Sequence, residues 1–107
     1  MMEKCLWQIL VPCNWNDGRP IRTRHHKSWD AKVRNITKGM TILPPGKGQW
    51  VDPSDDKLYV DRVIPVNLIA TAKEMDRISD ITMKHYDQLA VMYFKLSDQA
   101  IIKYKEL

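Results

Sequence analysis

The chain has 107 residues, of which 44% are hydrophobic and 28% charged, and its formal net charge is +4. This length predicts a single domain, residues 1–107, whose small core leaves little stability to spare, so self-association would help it. No apolar run approaches the roughly 20 residues of a membrane span and no signal peptide fits the N-terminus, so we expect a cytoplasmic protein that does not enter a membrane.

The first predicted element is a strand over residues 4–12, a nearly continuous apolar run that Pro12 closes. Cys5 and Cys13 flank this run, and in an extended chain they would lie about 26 Å apart, beyond disulfide reach. We therefore expect two reduced thiols, as is typical of cytosolic proteins.

A long polar loop is predicted for residues 14–27, which are rich in Asn, Asp, Gly, Pro and Arg. Ser28 is the predicted N-cap of the first helix, which ends at Gly39. Between residues 19 and 47, basic side chains accumulate against a single acid, Asp30. Such an excess of positive charge attracts phosphates, carboxylates or nucleic acid. The alternative interpretation is an ordinary basic surface that contacts only solvent.

An interrupted strand and a long strand are predicted next. The interrupted strand covers residues 40–43 and resumes at residues 49–51 after a turn at residues 44–48; a second turn covers residues 52–56. Residues 57–70 alternate and then become apolar, which indicates a long strand bent near Pro65. Because proline has no N–H to donate, Pro65 is predicted to lie at a sheet edge or a bulge.

A capping box of Thr71 and Glu74 opens the second predicted helix, whose apolar stripe includes His85 and reaches Leu89. Residues 91–96 are the last predicted strand, and residues 100–104 either extend it or pair as a short tail.

This order of elements, βαββαβ, is the split βαβ pattern of the ferredoxin-like fold, which belongs to the α+β class. It predicts a four-stranded antiparallel sheet with two helices on one face. Because the other face is left open, we expect a homo-oligomer, either a dimer or a trimer.

Short landmarks at residues 39–42, in the glycine-ended turn before Gln49 and Trp50, and at residues 88–91 carry a family resemblance. Over roughly residues 29–94 the chain resembles small ferredoxin-like proteins of PII-like architecture, among them the phage-type S-adenosylmethionine lyases and an uncharacterised bacterial domain family. The resemblance implies a substrate held at trimer interfaces, whose own carboxylate attacks to release methylthioadenosine and a homoserine lactone. The protein would then mainly bind, orient and stabilise charge.

Trp50, Tyr59 and Gln88 stand at matching landmarks, so the resemblance implies ligand contacts for Trp50 and Gln88 and a catalytic role for Tyr59. The chain departs from the pattern at Leu89, where such proteins tend to place an acid. A sulfonium substrate favours a nearby carboxylate or aromatic face. The candidate carboxylates are Asp52, Asp61 and Asp87.

Arg22, Arg24 and His25 are predicted to bind an anion or a nucleotide, because guanidinium groups match phosphate and carboxylate oxygens and a helix N-terminus follows them. His26 is the candidate for proton transfer, since the ordinary pKa of histidine is about 6.5. Lys47 lies between two glycines and would reach over the open sheet face toward a ligand, although its turn lacks the spacing of a phosphate loop.

The sequence predicts no metal site and no cofactor. The adjacent His25 and His26 project in different directions, and no third ligand lies at a recognised metal spacing.

Three functional hypotheses follow. The first is an oligomeric protein that binds a small anionic or nucleotide-like molecule, with lyase chemistry on S-adenosylmethionine or a related nucleotide as the candidate reaction; whether it is an enzyme stays open. The second is a nucleic-acid-binding accessory protein that uses the basic loop and the open sheet face. Against the second, the aromatic pattern of RNA-recognition strands is missing and the net charge of +4 is low. The third is a structural or inhibitory protein with a protein partner.

Overall fold

The computed structural model describes residues 4–106, in which five strands and two helices alternate along the chain. In chain order they are β1 (Cys5–Pro12), α1 (Thr23–Thr37), β2 (Thr41–Ile42), β3 (Gly46–Asp52), β4 (Lys57–Ala70), α2 (Ala72–His85) and β5 (Tyr93–Ser97). Neither helix has the length and hydrophobicity needed to cross a membrane.

The strands form one antiparallel sheet in the order β2-β4-β1-β5, and β3 also pairs with β4. Because β2 and β3 follow one another along the same side of β4, they act as one interrupted edge strand. The predicted ferredoxin-like α+β fold is therefore confirmed, with two helices and a sheet of four positions.

The core lies between the sheet and the two helices. Alternate residues of β1 and β4, such as Ile9 and Leu68, point toward the helices and are fully buried. Trp29 of α1 and Ile78 of α2 meet them from the other side. Burial of each such side chain stabilises the fold by about 1.5–3 kcal/mol.

Helix α1 begins six residues earlier than predicted. Its N-cap is Arg22 and its first residue is Thr23, so Ser28 lies inside the helix and is not its cap. Contacts of His25 and His26 with α2, described below, stabilise this additional turn, and the sequence gives no local sign of them. At the C-terminus Lys38 takes the left-handed conformation (φ 68°) that the sequence predicts for Gly39.

The predicted turn over residues 44–48 is wrong in its second half, because Gly46 already pairs with Val63 in β3. Pro65 is also not on an edge strand: β4 lies inside the sheet. The Pro65 carbonyl accepts a hydrogen bond from the Leu43 N–H at 2.9 Å. Its ring nitrogen therefore faces the break between β2 and β3, where no ladder partner is needed.

The second half of the chain follows the prediction more closely. The capping box of α2 is confirmed: Glu74 N–H donates to Thr71 Oγ1 at 3.1 Å, and Thr71 N–H donates to Glu74 Oε1 at 2.9 Å. The helix ends at His85, so the prediction that its stripe reaches Leu89 is wrong, and Leu89 is fully exposed. Residues 98–106 form no regular structure.

The pairing of β1 with β4 ends at Val63, whereas β3 and β4 continue to the pair of Asp52 and Lys57. The hairpin of residues 46–62, here called the arm, therefore extends beyond the sheet as two strands. It contributes to an elongated molecule of 56 × 30 × 23 Å.

Candidate functional site

A compact loop joins β1 to α1 and forms one wall of the candidate site. The Trp15 N–H donates to the Arg19 carbonyl at 2.8 Å, and the Gly18 N–H donates to the Trp15 carbonyl at 2.9 Å. Gly18 has a φ of 89°, which a glycine adopts without strain. Ile21 is buried in the core, so the loop is anchored immediately before α1 begins.

The N-terminus of α1 lacks the side chains that usually satisfy a helix start. Arg22 makes no capping hydrogen bond through its side chain, and the first turn contains no acidic residue. Aspartate, glutamate and capping hydroxyls are favoured at this position because the first N–H groups carry partial positive charge. The start of α1 is thus both electropositive and uncapped.

A cavity of about 410 Å³ opens at this helix start. Its walls are formed by the loop and the first turns of α1, and its lining side chains include Trp15, Arg19, Arg22, Arg24 and His25. Arg19 is paired with Asp17 at 2.6 Å. Within residues 4–106, Arg22 and Arg24 are exposed and form no salt bridge. Two unpaired guanidinium groups therefore face the same opening as the uncapped helix start.

Tyr86 lies beneath this wall, and none of the predicted sites includes it. It is completely buried and its ring contacts the rings of Trp15 and Trp29, each with a centroid distance of 6.3 Å. The spacing of Ile78, Thr82 and Tyr86 would have placed it on the buried stripe of α2. Burial raises the pKa of the Tyr86 hydroxyl, which stays protonated and serves as a hydrogen-bond donor.

Two of the chain's three histidines, His26 and His85, contact the ring of Tyr86, and the third, His25, contacts His85 through its carbonyl. Nδ1 of His26 lies 2.7 Å from the Tyr86 hydroxyl, and the two groups are hydrogen-bonded. Nε2 of His85 donates to the His25 carbonyl at 2.8 Å, while Nδ1 of His85 lies 3.1 Å from the Lys32 ammonium and accepts from it. His85, which the sequence places on the apolar stripe of α2, is thus hydrogen-bonded through both ring nitrogens and only half-buried. The cluster holds the first turns of α1 against α2.

The environment of His26 favours its neutral form. Desolvation is the main cause that lowers the pKa of His26, and His85 and His25 lower it further, while Asp30 raises it. Burial in turn raises the pKa of the Asp30 carboxyl. His26 is half-buried and bonded to Tyr86, whereas His25 stands at the cavity wall, with its ring edge-on to Trp15 at 5.3 Å.

Gln88 lies near the site, but its side chain bonds within the protein. Its Nε2 donates to Asn16 Oδ1 at 3.1 Å and to the Tyr86 carbonyl at 3.0 Å. Asn16 Nδ2 in turn donates to the Asp87 carbonyl at 2.8 Å. Gln88 therefore ties the β1–α1 loop to the turn that follows α2.

The structure does not bring Lys47, Trp50 and Tyr59 into this cavity. All three lie on the arm, where the rings of Trp50 and Tyr59 stack with a centroid distance of 4.7 Å and an interplanar angle of 17°. Trp50 Nε1 donates to Asp61 Oδ2 at 3.2 Å. Tyr59 lies four residues beyond the end of the β1–β4 pairing, about 13 Å along the strand.

The other predicted chemistry concerns thiols and metals. Cys5 and Cys13 are both free, as expected from their spacing. Burial is the main cause that raises the pKa of the Cys13 thiol, so it is not an activated nucleophile. Within residues 4–106, no group of three or more His, Cys, Asp or Glu side chains is arranged to hold a metal ion.

A second cavity, of about 510 Å³, lies at the N-terminal side of α2. Its wall mixes charges of both signs, including Lys4, Lys73, Asp76 and Arg77, and the Lys4–Glu74 ion pair at 3.7 Å crosses it. This balance gives no preference for an anion or a cation, so the cavity at α1 is the stronger candidate.

No protein-family model matches the chain, and no curated protein sequence matches it. Solved structures, in contrast, match this chain. A phage SAM lyase in complex with S-methyl-5'-thioadenosine superposes with a TM-score of 0.67 at 9% identity, over 92% of this chain and 84% of that one. CutA1 from Oryza sativa superposes with a TM-score of 0.65 at 11% identity, over 98% of this chain and 84% of that one. The periplasmic divalent cation tolerance protein CutA from Archaeoglobus fulgidus superposes with a TM-score of 0.66 at 9% identity, over 95% of this chain and 89% of that one.

At these identities the similarity is one of fold. The ferredoxin-like, PII-like architecture implied by the resemblance in the sequence is thereby confirmed.

Proposed function

We propose that this protein binds a small anionic or nucleotide-like molecule in the cavity at the start of α1, and that it does so as a homo-oligomer. The observation that carries the proposal is the uncapped N-terminus of α1, with the unpaired Arg22 and Arg24 beside it. The partial positive charge of the helix start and the guanidinium groups of Arg22 and Arg24 repel one another, and the first N–H groups of the helix have no capping side chain. A bound phosphate or carboxylate would relieve both costs.

The lining also suits a nucleotide-like ligand. Trp15 and His25 offer ring surfaces next to the guanidinium groups, so a base or an adenine ring would stack while an anionic group meets Arg22 and Arg24. A volume of about 410 Å³ lies within the usual range for small-molecule sites.

Turnover of S-adenosylmethionine or a related nucleotide is the candidate reaction within this proposal. The phage lyase of similar fold supports it, and His26, which follows the lining residue His25 and is hydrogen-bonded to Tyr86, is the candidate for proton transfer. Tyr59, Trp50 and Lys47 would take part only if the arm of a neighbouring copy approached the cavity. We also propose a cytoplasmic location, where Cys5 and Cys13 would remain reduced.

Calorimetric titration with pyrophosphate, S-adenosylmethionine and methylthioadenosine tests binding. We expect the double variant Arg22→Gln and Arg24→Gln to lower the affinity for the compound that binds by more than tenfold, because each charge-assisted hydrogen bond contributes about 1.5–3 kcal/mol. Lys27→Gln, which removes an exposed charge from the same helix but not from the cavity lining, is the matched control. Unchanged affinity in the double variant would contradict the proposed site.

The same samples, analysed by mass spectrometry, show whether S-adenosylmethionine is consumed and whether His26→Gln stops this consumption. Binding without consumption would remove the lyase reaction and leave the binding proposal intact. A single-stranded oligonucleotide is the comparison ligand. If it alone binds, with an affinity that falls steeply as salt is added, a nucleic-acid-binding function replaces the small-molecule one.

A further inference from the structure

The arm exposes apolar side chains on both of its faces. Val51, Leu58 and Val60 share one face and are each more than half exposed, while Trp50 and Tyr59 stack on the other. A two-stranded hairpin by itself is at best marginally stable in water. The arm of residues 46–62 therefore needs a covering partner.

The outer edge of β3 is open for strand pairing. The Arg62 carbonyl accepts from the Cys13 N–H at 3.1 Å, so it points toward β1 and away from β3. In an antiparallel ladder the opposite residue, Lys47, then points its own backbone groups away from β4, and Gln49 and Val51 do the same. Within residues 4–106, β3 pairs with no strand other than β4.

The segment that matches this edge is the C-terminal tail, residues 98–106. It forms no regular structure, and its large apolar side chains Ile101, Ile102 and Tyr104 are 77%, 60% and 81% exposed. In an extended conformation Ile102 and Tyr104 would face one side, and Ile101, Lys103 and Lys105 would face the other.

The two faces of the arm match this alternation. Val51 and its apolar neighbours would receive Ile102 and Tyr104. On the opposite face Asp52 and Asp61 accompany the Trp50–Tyr59 stack, and Lys103 and Lys105 would lie beside these carboxylates and aromatic rings. In one orientation, the tail strand therefore places its apolar side chains Ile102 and Tyr104 on the apolar face of the arm and its lysines beside the carboxylates of the other face.

The tail cannot reach Val51 and Leu58, in the outer part of the arm of its own chain. Ser97 pairs with Leu6, which lies opposite Ile69, whereas the arm begins at the other end of β4. From Ile69 to Leu58 the strand runs eleven residues, about 36 Å at ~3.3 Å per residue. Seven residues from Ser97 to Tyr104 span at most about 25 Å.

We propose that residues 100–105 of one copy add a strand to the outer edge of β3 in a second copy. This inference rests on the homo-oligomer in the proposed function and identifies the surfaces that form it. Because tail and edge are different surfaces, each copy both gives a tail and receives one. The contact covers the arm, which would otherwise remain a solvated hairpin.

Disulfide cross-linking between mixed copies tests the contact. One copy carries Val51→Cys and the other Ile102→Cys or Tyr104→Cys, both in a Cys13→Ser background, in which the remaining native thiol, Cys5, is buried. We expect a covalent dimer of mixed composition under mild oxidation. Arg77→Cys on the exposed side of α2 replaces Val51→Cys in the control, which should give no such product.

The mass of the protein in solution, measured by light scattering, separates this inference from the proposed oligomer. We expect the double variant Ile102→Asp and Tyr104→Asp to reduce an oligomeric mass to that of a monomer, with unchanged circular dichroism. Leu89→Asp, equally exposed but outside the tail and the arm, should keep the oligomeric mass.

A monomeric unmodified chain would overturn the oligomer and this inference together, while ligand binding is still measured separately. An oligomer that keeps its mass in the tail variant and gives no cross-link would overturn the tail contact alone.

Discussion

Tyr86 connects the candidate site to the core of the protein. Its buried ring contacts Trp15 from the β1–α1 loop and Trp29 from α1, and its hydroxyl is hydrogen-bonded to His26. The wall of the cavity therefore rests on a packed aromatic residue rather than on a mobile loop. The same surroundings lower the pKa of His26, so the stability of this region is coupled to pH.

The lowered pKa of His26 predicts a loss of stability in mild acid. In the unfolded chain histidine takes up its proton near its ordinary pKa of 6.5, while the folded protein resists protonation to lower pH. The free energy of unfolding should therefore fall as pH drops below 6.5 and hold steady above it, as far as His26 is concerned.

Urea unfolding between pH 5 and pH 8 measures this dependence. In the His26→Gln variant, which cannot titrate at this position, we expect a shallower decline below pH 6.5. Parallel curves for the two proteins would show that another group is responsible.

At the scale of elements, the two helices begin in opposite ways. Helix α2 starts with Thr71 and Glu74, which satisfy each other's backbone N–H groups, so it needs no ligand. Helix α1 starts at Arg22 without a cap and with basic residues in its first turn. One helix start is therefore closed by its own side chains, and the other is the start at which we propose that an anion binds.

The difference predicts unequal effects of removing a hydroxyl from each helix. We expect Thr71→Ala to lower the free energy of unfolding by about 1 kcal/mol, because it removes a capping hydrogen bond. Ser28→Ala lies inside α1 at an exposed position, so it should change stability by no more than about 0.5 kcal/mol. Urea titration of both variants measures the two effects, and a larger loss in Ser28→Ala would contradict the observed start of α1.

At the scale of the whole molecule, the exposed apolar surface is concentrated in the arm, in β5 and in the tail. Trp50 and Val51 represent the arm, Phe94 and Leu96 represent β5, and the tail adds residues 101–104. Patches of this kind on a small protein are typical of interaction surfaces. In the proposed oligomer they would lie at subunit contacts, leaving the basic cavity at α1 open to solvent.

An oligomer of this kind predicts a melting temperature that depends on protein concentration, because dissociation accompanies unfolding. We expect the Tm to rise by several degrees between about 1 and 100 μM chain, as followed by circular dichroism. For the double variant Ile102→Asp and Tyr104→Asp we expect no such rise. A constant Tm in the unmodified protein would indicate that folding and association are not coupled.

The sequence by itself determined the order of the elements, because the apolar run of β1, the alternation in β4 and the capping box of α2 are local signals. From charge and nearness to a predicted helix it also made Arg22, Arg24 and His25 candidates for binding; the structure places all three at one cavity, and their binding role stays a prediction. The true start of α1 depends on contacts between His25, His26 and α2, some sixty residues away, and no local pattern records them.

Only the tertiary structure decided which candidate residues share a site. Sheet pairing places Lys47, Trp50 and Tyr59 on an arm beyond the end of β1, away from the arginines. The packing of α2 against α1 places Tyr86 beneath the cavity wall, although it stands near no motif in the sequence. Local propensities fix elements within about ten residues, whereas a site is formed by pairing and packing between residues far apart in the chain.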